Sequence, residues 1–207
     1  MPAEDAHRDA FWVIAVVGGM SITKAIEDSL GSITISHWTF ENGIILPRLL
    51  LFLLTSVRFF IGSNVFFQAV HIEPGHEKTF RHRNYALDFG SAIFHFGFLY
   101  ALATTIRTIP PLPIHLLDES FFLFLCVVLL YDWAWYFVST PYDTARCILR
   151  WAWYNTLAVF LPCSALFLIF KYGGIDRGWF EILLAGWIAI TSLPDLMKMA
   201  HGEMPKP

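Results

Sequence analysis

Six long apolar segments, separated by short polar stretches, follow one another along the chain. They cover residues 10 to about 29, 44 to 70, 85 to 105, 119 to 139, 145 to 170 and 178 to 199. A helix needs about 20 predominantly apolar residues to cross a bilayer, and these segments have that length. Stretches such as IPPLPIH, STPYD and KYGGID interrupt helices and separate neighbouring segments. The pattern predicts an all-α polytopic membrane protein, a six-transmembrane-helix bundle in a single integral membrane domain, residues 1–207.

The first segment leaves a second topology open. Its latter half is polar, with Lys24, Glu27 and Asp28, so that five spans plus an interfacial helix are the alternative. Orientation follows the excess of Lys and Arg on the cytoplasmic side. In the six-span arrangement, the side of the membrane that holds the N-terminus carries seven cations: Arg8, Lys78, Arg81, Arg83, Arg146, Lys198 and Lys206. The opposite side carries four: Lys24, Arg107, Lys171 and Arg177. This bias predicts a multi-pass protein of the cell (inner) membrane with both termini cytoplasmic.

Composition strengthens the membrane prediction and excludes other classes. Hydrophobic residues make up 56% of the chain and charged residues 15%, with a mean hydropathy of +0.54. A soluble domain usually has about 25% charged residues. The net charge of −3 leaves no basic footprint for nucleic acid. The three cysteines lie in or beside apolar segments, and an odd number there argues against a disulfide framework.

The tetrapeptide WAWY occurs twice, after Asp132 and after Arg150. If the fourth and fifth helices turn around STPYD, each charge lies nine residues from Pro141, and so at the same depth. Charged groups are costly in hydrocarbon, and two opposite charges at one depth offset that cost by pairing. The repeat therefore predicts an Asp132–Arg150 pair, which either serves function or only clamps the two helices together.

Other polar side chains fall at comparable depths in the inner half of the bundle. Asp88, Ser91 and His95 recur at positions i, i+3 and i+7 and so share one helix face. Arg58 requires a partner, for which Asp88 and Asp132 are the candidates, whereas Arg48 lies near a boundary where it can extend towards the headgroups. Ala15, Gly19 and Thr23 are spaced as a close helix-packing face. The predicted gate or relay cluster is Arg58, Asp88, His95, Asp132, Arg150, Asn155 and Asp195.

The segment 73–84 is predicted to be a basic cytoplasmic loop. Its Lys78, Arg81 and Arg83 are candidates for contact with anionic lipid or a soluble partner. His71, Glu73, His76, Glu77 and His82 are metal-ligand types, but their spacing matches no closed zinc pattern, so no metal is predicted. Only His95 is placed where a haem ligand would be needed, and no cofactor is expected. The chain lacks the nucleophile-elbow, zincin, P-loop and dinucleotide-binding motifs, so no enzymatic activity is predicted, although an unfamiliar intramembrane enzyme stays open.

Two functions fit this pattern. The first is a channel- or transporter-like conduit for ions, protons or a small solute, which we expect to form a homo-oligomer in the lipid bilayer. In it, Asp132–Arg150 acts as a lock, Asp88 and Asp195 attract cations, His95 senses pH and Arg58 supplies the counter-charge. The second is a non-catalytic membrane subunit or sensor that docks a soluble cytoplasmic protein through the loop, with the buried charges only specifying packing.

Overall fold

The computed structural model describes residues 3–30, 42–73, 76–80, 85–106, 114–139 and 145–200. These residues form six helical rods and one small hairpin. The rods are α1 (Ala3–Leu30), α2 (Asn42–His71), α3 (Tyr85–Thr104), α4 (Ile114–Ser139), a composite rod, and α7 (Arg177–Ala200). The composite rod consists of α5 (Ala145–Tyr154), a π-helical turn (Asn155–Phe160) and α6 (Leu161–Gly173). The predicted apolar segments therefore coincide with the helices to within a few residues at most ends.

Four of the described helices are long and apolar enough to cross a membrane. The qualifying stretches are Ile44–Phe67, Tyr85–Thr104, Ser120–Ser139 and Ile148–Gly173. The prediction of an all-α, multi-pass membrane protein is confirmed at this level. The first and last helices, α1 and α7, do not meet the same criterion within the described residues.

The helices pack so that polar side chains from five of them meet inside the bundle. Helix α1 lies against α2 and α3, α2 lies along α7, α3 packs on α4, and α4 packs on α5 and the π-helical turn. Buried aromatic and aliphatic side chains fill the space between them, including Phe52, Phe59, Phe96 and Leu125. Many apolar side chains are exposed on the outer surface of the bundle, as expected for helices that face lipid.

Helix α1 packs through a different face from the one that the small residues predicted. Gly19 and Thr23 are exposed, so the predicted face is wrong. Gly18 is buried instead, and a Cβ atom there would lie 3.3 Å from the ring of Phe96. The buried positions repeat every three or four residues: Ile14, Gly18, Ser21, Ala25 and Ser29. Lys24 and Asp28, one helical turn apart, form an ion pair, with Nζ and Oδ1 2.9 Å apart.

Part of the predicted loop 73–84 forms a hairpin. Strand β1 (Ile72–Glu73) pairs antiparallel with β2 (His76–Phe80), Ile72 opposite Phe80, and the register shifts between Ile72 and Glu73. Strand β2 contacts α1. We call the side of the bundle that carries these strands the hairpin end; α2 and α4 finish there, and α3 and α5 begin there.

The π-helical turn is explained by Pro162 together with α7. Proline has no N–H, so it cannot donate the helical hydrogen bond to the carbonyl of Ala158. The indole Nε1 of Trp187 on α7 donates to that carbonyl at 2.9 Å. One residue before the proline, the Leu161 N–H bonds to the Thr156 carbonyl, five residues back, as a π-helix requires. The turn widens the rod beside Asn155, which is the first residue of the π-helical turn.

Candidate functional site

A group of buried polar residues from α2, α3, α4 and the π-helical turn forms the centre of the bundle. We call Arg58, His95, Asp132 and Asn155 the central cluster; each is at most 4% exposed. The amide of Asn155 connects two charges: its Oδ1 accepts from Arg58 Nη2 at 2.6 Å, and its Nδ2 donates to Asp132 Oδ2. Asp132 is also within electrostatic reach of Arg58. Arg58 is thus linked to Asp132, one of its two predicted partners, through the amide of Asn155.

His95 adds a second basic group to the central cluster. Its Nε2 lies 2.9 Å from the carbonyl oxygen of Val128, and a carbonyl only accepts, so Nε2 carries the hydrogen. In the neutral ring, Nδ1 then holds a lone pair, and this atom lies 3.8 Å from Asp132 Oδ1. The ring packs at 4.1 Å, centroid to centroid, against Phe59. Nδ1 and Oδ1 are two neighbouring proton acceptors on side chains that are almost fully buried.

The guanidinium of Arg58 lies between aromatic rings of the second WAWY. Its Cζ is 5.3 Å from the Trp151 ring centroid and 4.8 Å from that of Tyr154, within the range of cation–π attraction. Gly62, one turn further along α2, makes room for this arrangement. A Cβ atom at Gly62 would lie 2.6 Å from Trp151 Cζ2 and 2.9 Å from Cζ3. The absence of a side chain at Gly62 is therefore what allows the indole to reach Arg58.

A second group lies at the hairpin end, and we call His71, Asp88, Trp135 and Ser139 the hairpin-end cluster. The carboxylate of Asp88 accepts three hydrogen bonds, from Trp135 Nε1 at 2.8 Å, Ser139 Oγ at 2.9 Å and His71 Nε2 at 2.9 Å. His71 is fully buried, and it was not predicted as a member of a buried cluster. The signal that was available is its position four residues beyond Phe67, on the buried face of α2.

The two clusters are joined along one face of α3. Asp88, Ser91 and His95 are all buried, which confirms the predicted stripe. Asp88 and His95 are seven residues apart, which corresponds to about 10 Å along a helix. The sequence placed all the charges in one layer, whereas the structure divides them between a central and a hairpin-end cluster.

The doubled WAWY contributes two different sets of contacts. In the first copy, Trp135 donates to Asp88, and Trp133 Nε1 donates to Thr156 Oγ1 at 2.7 Å. In the second copy, Trp153 packs against Trp133 with ring centroids 5.0 Å apart. The two copies therefore contact each other between α4 and α5, and their aromatic side chains also contact Asp88 and Arg58.

The predicted Asp132–Arg150 pair is wrong. Arg150 is exposed, and Asp132 bonds to Asn155. The buried positions of this rod are Ile148, Ala152, Asn155 and Val159, and Arg150 lies about 200° around the helix from Ile148. Matching depth alone misled the prediction, because it ignored the direction in which each side chain points. The helical periodicity would have selected Asn155.

A third polar contact lies at the end of the bundle away from the hairpin. Arg48 Nε donates to Glu181 Oε1 at 2.7 Å, Nη2 bonds to the same oxygen, and both side chains are 1% exposed. The guanidinium also lies over Phe121, 4.6 Å from its centroid. The expectation that Arg48 extends towards headgroups is wrong. Glu181 was not selected from the sequence, although an acid near the start of the last segment is a natural partner for Arg48.

Several predicted residues fall outside the described set. The side chains of Asp195 and Lys78 are among them, as are Arg81 and Arg83 entirely. Among the side chains that the structure describes, no three His, Cys, Asp or Glu residues converge as metal ligands would. Comparison of the chain with protein-family models, curated proteins and solved structures gives no match. Function must therefore be argued from the site itself.

Proposed function

We propose that the protein is a membrane conduit for protons, in which His95 and Asp132 hold the transferred proton. The observation that carries this proposal is the 3.8 Å approach of His95 Nδ1 to Asp132 Oδ1 inside a spanning bundle. A proton that arrives at Nδ1 makes an imidazolium beside a carboxylate, and its transfer to Oδ1 restores the neutral ring and leaves a carboxylic acid. Ionisable residues inside membranes commonly mark such pathways.

Protons are favoured over larger ions by the density of the site. The members of the central cluster are at most 4% exposed, Asn155 hydrogen-bonds to both Arg58 and Asp132, and His95 lies 3.8 Å from Asp132. A proton passes between adjacent groups with small movements, whereas a hydrated ion would require these contacts to separate. Asp88 and His71 provide a further ionisable pair at the hairpin end, with Ser91 between Asp88 and His95 on α3.

The test is proton flux into liposomes that contain the purified protein, driven by a potassium diffusion potential and followed with an internal pH dye. The wild-type protein should acidify the lumen faster than protein-free liposomes. His95→Ala combined with Asp132→Asn should abolish the difference. Glu27→Gln, which changes an exposed acid on α1, is the matched control and should keep full flux. Equal flux in the double variant and the wild type would remove the pair from the pathway.

In this proposal all six helices span the cell (inner) membrane, with both termini cytoplasmic. At 1.5 Å per residue, α1 with 28 residues and α7 with 24 have lengths of about 42 and 36 Å, enough for a hydrocarbon core of about 30 Å. The buried Arg48–Glu181 pair ties α7 to the spanning helix α2. Assembly as a homo-oligomer belongs to the same proposal.

A second candidate is a non-catalytic subunit or sensor that docks a soluble cytoplasmic protein. The observation in its favour is that part of the segment 73–84 folds as a hairpin against α1, which gives a partner a defined surface. This candidate predicts co-purification of a soluble protein that is lost when residues 74–84 are scrambled, together with an absence of proton flux in liposomes. Flux without any partner would favour the conduit.

A further inference from the structure

Arg150 remains to be explained once it is removed from the central cluster. It lies two residues beyond Ile148, where the apolar span of this rod begins, and it points away from the buried face. Within the part of the chain that the structure describes, no carboxylate pairs with it. A guanidinium keeps its charge in a protein, and near the end of a membrane-spanning helix it extends to the headgroup level, where lipid phosphates are available as partners.

The residues that follow Arg150 on the same face form a continuous apolar stripe. Trp153 is 49% exposed, Leu157 55% and Leu161 50%, at spacings of three, four and four residues. The stripe thus begins with a cation, continues with an amphipathic aromatic ring and ends with aliphatic side chains directed towards the membrane interior. Tryptophan prefers the headgroup level of a bilayer, so this order follows the chemistry of a phospholipid from its phosphate to its acyl chains.

We propose that this stripe, Arg150 with Trp153, Leu157 and Leu161, binds one anionic phospholipid. The planar guanidinium donates two parallel hydrogen bonds to the phosphate, a geometry that lysine does not offer. The acyl chains lie along Leu157 and Leu161. This inference is independent of the proposed function, since none of the four residues belongs to the central or hairpin-end cluster.

A second copy of the chain fits this face less well than a lipid does. In a two-fold symmetric dimer the same patch meets itself, so Arg150 would face the partner's Arg150 at the same depth. Two like charges in a low-dielectric setting repel each other. Free phosphate would satisfy Arg150 but would leave the apolar stripe unused. An anionic lipid satisfies both parts.

The experiment uses the full-length protein in neutral detergent and measures retained lipid by native mass spectrometry after addition of phosphatidylglycerol. The wild-type protein should keep one phosphatidylglycerol in preference to phosphatidylcholine. Arg150→Ala should weaken the apparent affinity about tenfold, the size expected for one charge-assisted contact. Arg150→Lys should fall between the two. Lys171→Ala, which removes an exposed cation at the other end of the same rod, should retain the lipid.

Three outcomes would overturn the proposal. The first is equal retention of phosphatidylglycerol by the wild type and Arg150→Ala. The second is thermal stabilisation of the wild type by glycerophosphoglycerol, which has the headgroup without acyl chains, that equals the stabilisation by phosphatidylglycerol. The third is a protein dimer that dissociates in Arg150→Ala and carries no bound lipid, which would identify a second copy as the occupant.

Discussion

Asn155 is the residue on which the central cluster depends, because its amide contacts both Arg58 and Asp132. Asn155→Leu removes a hydrogen-bond donor and an acceptor at once and leaves two buried charges less well paired. We expect a loss of about 3 kcal/mol in the free energy of unfolding, the low end of what breaking a buried ionic network costs. Reversible unfolding in mixed micelles measures it. Asn64→Leu, a half-buried amide on α2, is the control and should change stability by less than about 0.5 kcal/mol.

At Gly62 the predicted loss of stability comes from added side-chain volume rather than from lost hydrogen bonds. Gly62→Ala places a methyl group inside van der Waals contact of the Trp151 ring. Overpacking of this kind costs about 1–3 kcal/mol, and the displaced indole also leaves Arg58. The same unfolding assay tests this, with Gly97→Ala as control, because a Cβ at Gly97 meets nothing within 4 Å. Stability equal to the wild type in Gly62→Ala would contradict the described packing.

The sequence predicts which polar residues are buried better than it predicts which residues they contact. Arg58, Asp88, His95, Asp132 and Asn155 are all buried, as predicted, because an ionisable or amide group in an apolar run has few other places to go. Which residue a buried side chain contacts depends on the rotation of each helix about its axis. The depth of a residue in the membrane does not reveal this rotation, and the predicted pairing of Asp132 with Arg150 was therefore wrong. His71 and Glu181 were missed because each stands at the edge of an apolar segment, where a charge normally faces water.

Trp187 connects α7 to the composite rod, and its role is specific to Pro162. Trp187→Phe removes the N–H that satisfies the Ala158 carbonyl and should cost about 1–2 kcal/mol of stability. In a Pro162→Ala background, residue 162 regains an N–H that competes for the same carbonyl. The cost of Trp187→Phe should therefore be smaller in that background. A double-mutant cycle on unfolding free energies measures the difference, and strictly additive losses would show that the two residues are not coupled.

Helix positions were predictable because each depends mainly on its own run of apolar residues. The π-helical turn was not, because it requires Pro162 and a donor from α7, which lies far away in sequence. The hairpin β1–β2 was also missed, since its strands are short and the segment 73–84 carries more charge than a typical strand. The helix α1 shows the limit of spacing rules: small residues occur at two registers, and only contact with Phe96 selects the one with Gly18.

Across the whole molecule, the Arg48–Glu181 pair, the central cluster and the hairpin-end cluster lie at successive depths on α2. The pair joins α2 to α7 near the end of the bundle away from the hairpin. Glu181→Ala should destabilise the protein by about 3–5 kcal/mol, because the buried Arg48 loses its hydrogen bonds to the Glu181 carboxylate. The double replacement Arg48→Met with Glu181→Leu removes both charges and should restore most of the loss. Equal destabilisation by the single and double variants would argue against an ionic role.

These depths have a consequence for how the protein is made. Arg58 contacts a residue 97 positions later in the chain, and Arg48 one 133 positions later. A ribosome that adds about 5–20 residues per second therefore exposes α2 to the translocon roughly 7–27 seconds before Glu181 emerges. Arg48 must be tolerated at the insertion machinery for that interval, and Arg58 for roughly 5–19 seconds until Asn155 emerges. Nascent chains that stop before the final helix lack the Glu181 carboxylate that Arg48 contacts in the folded protein.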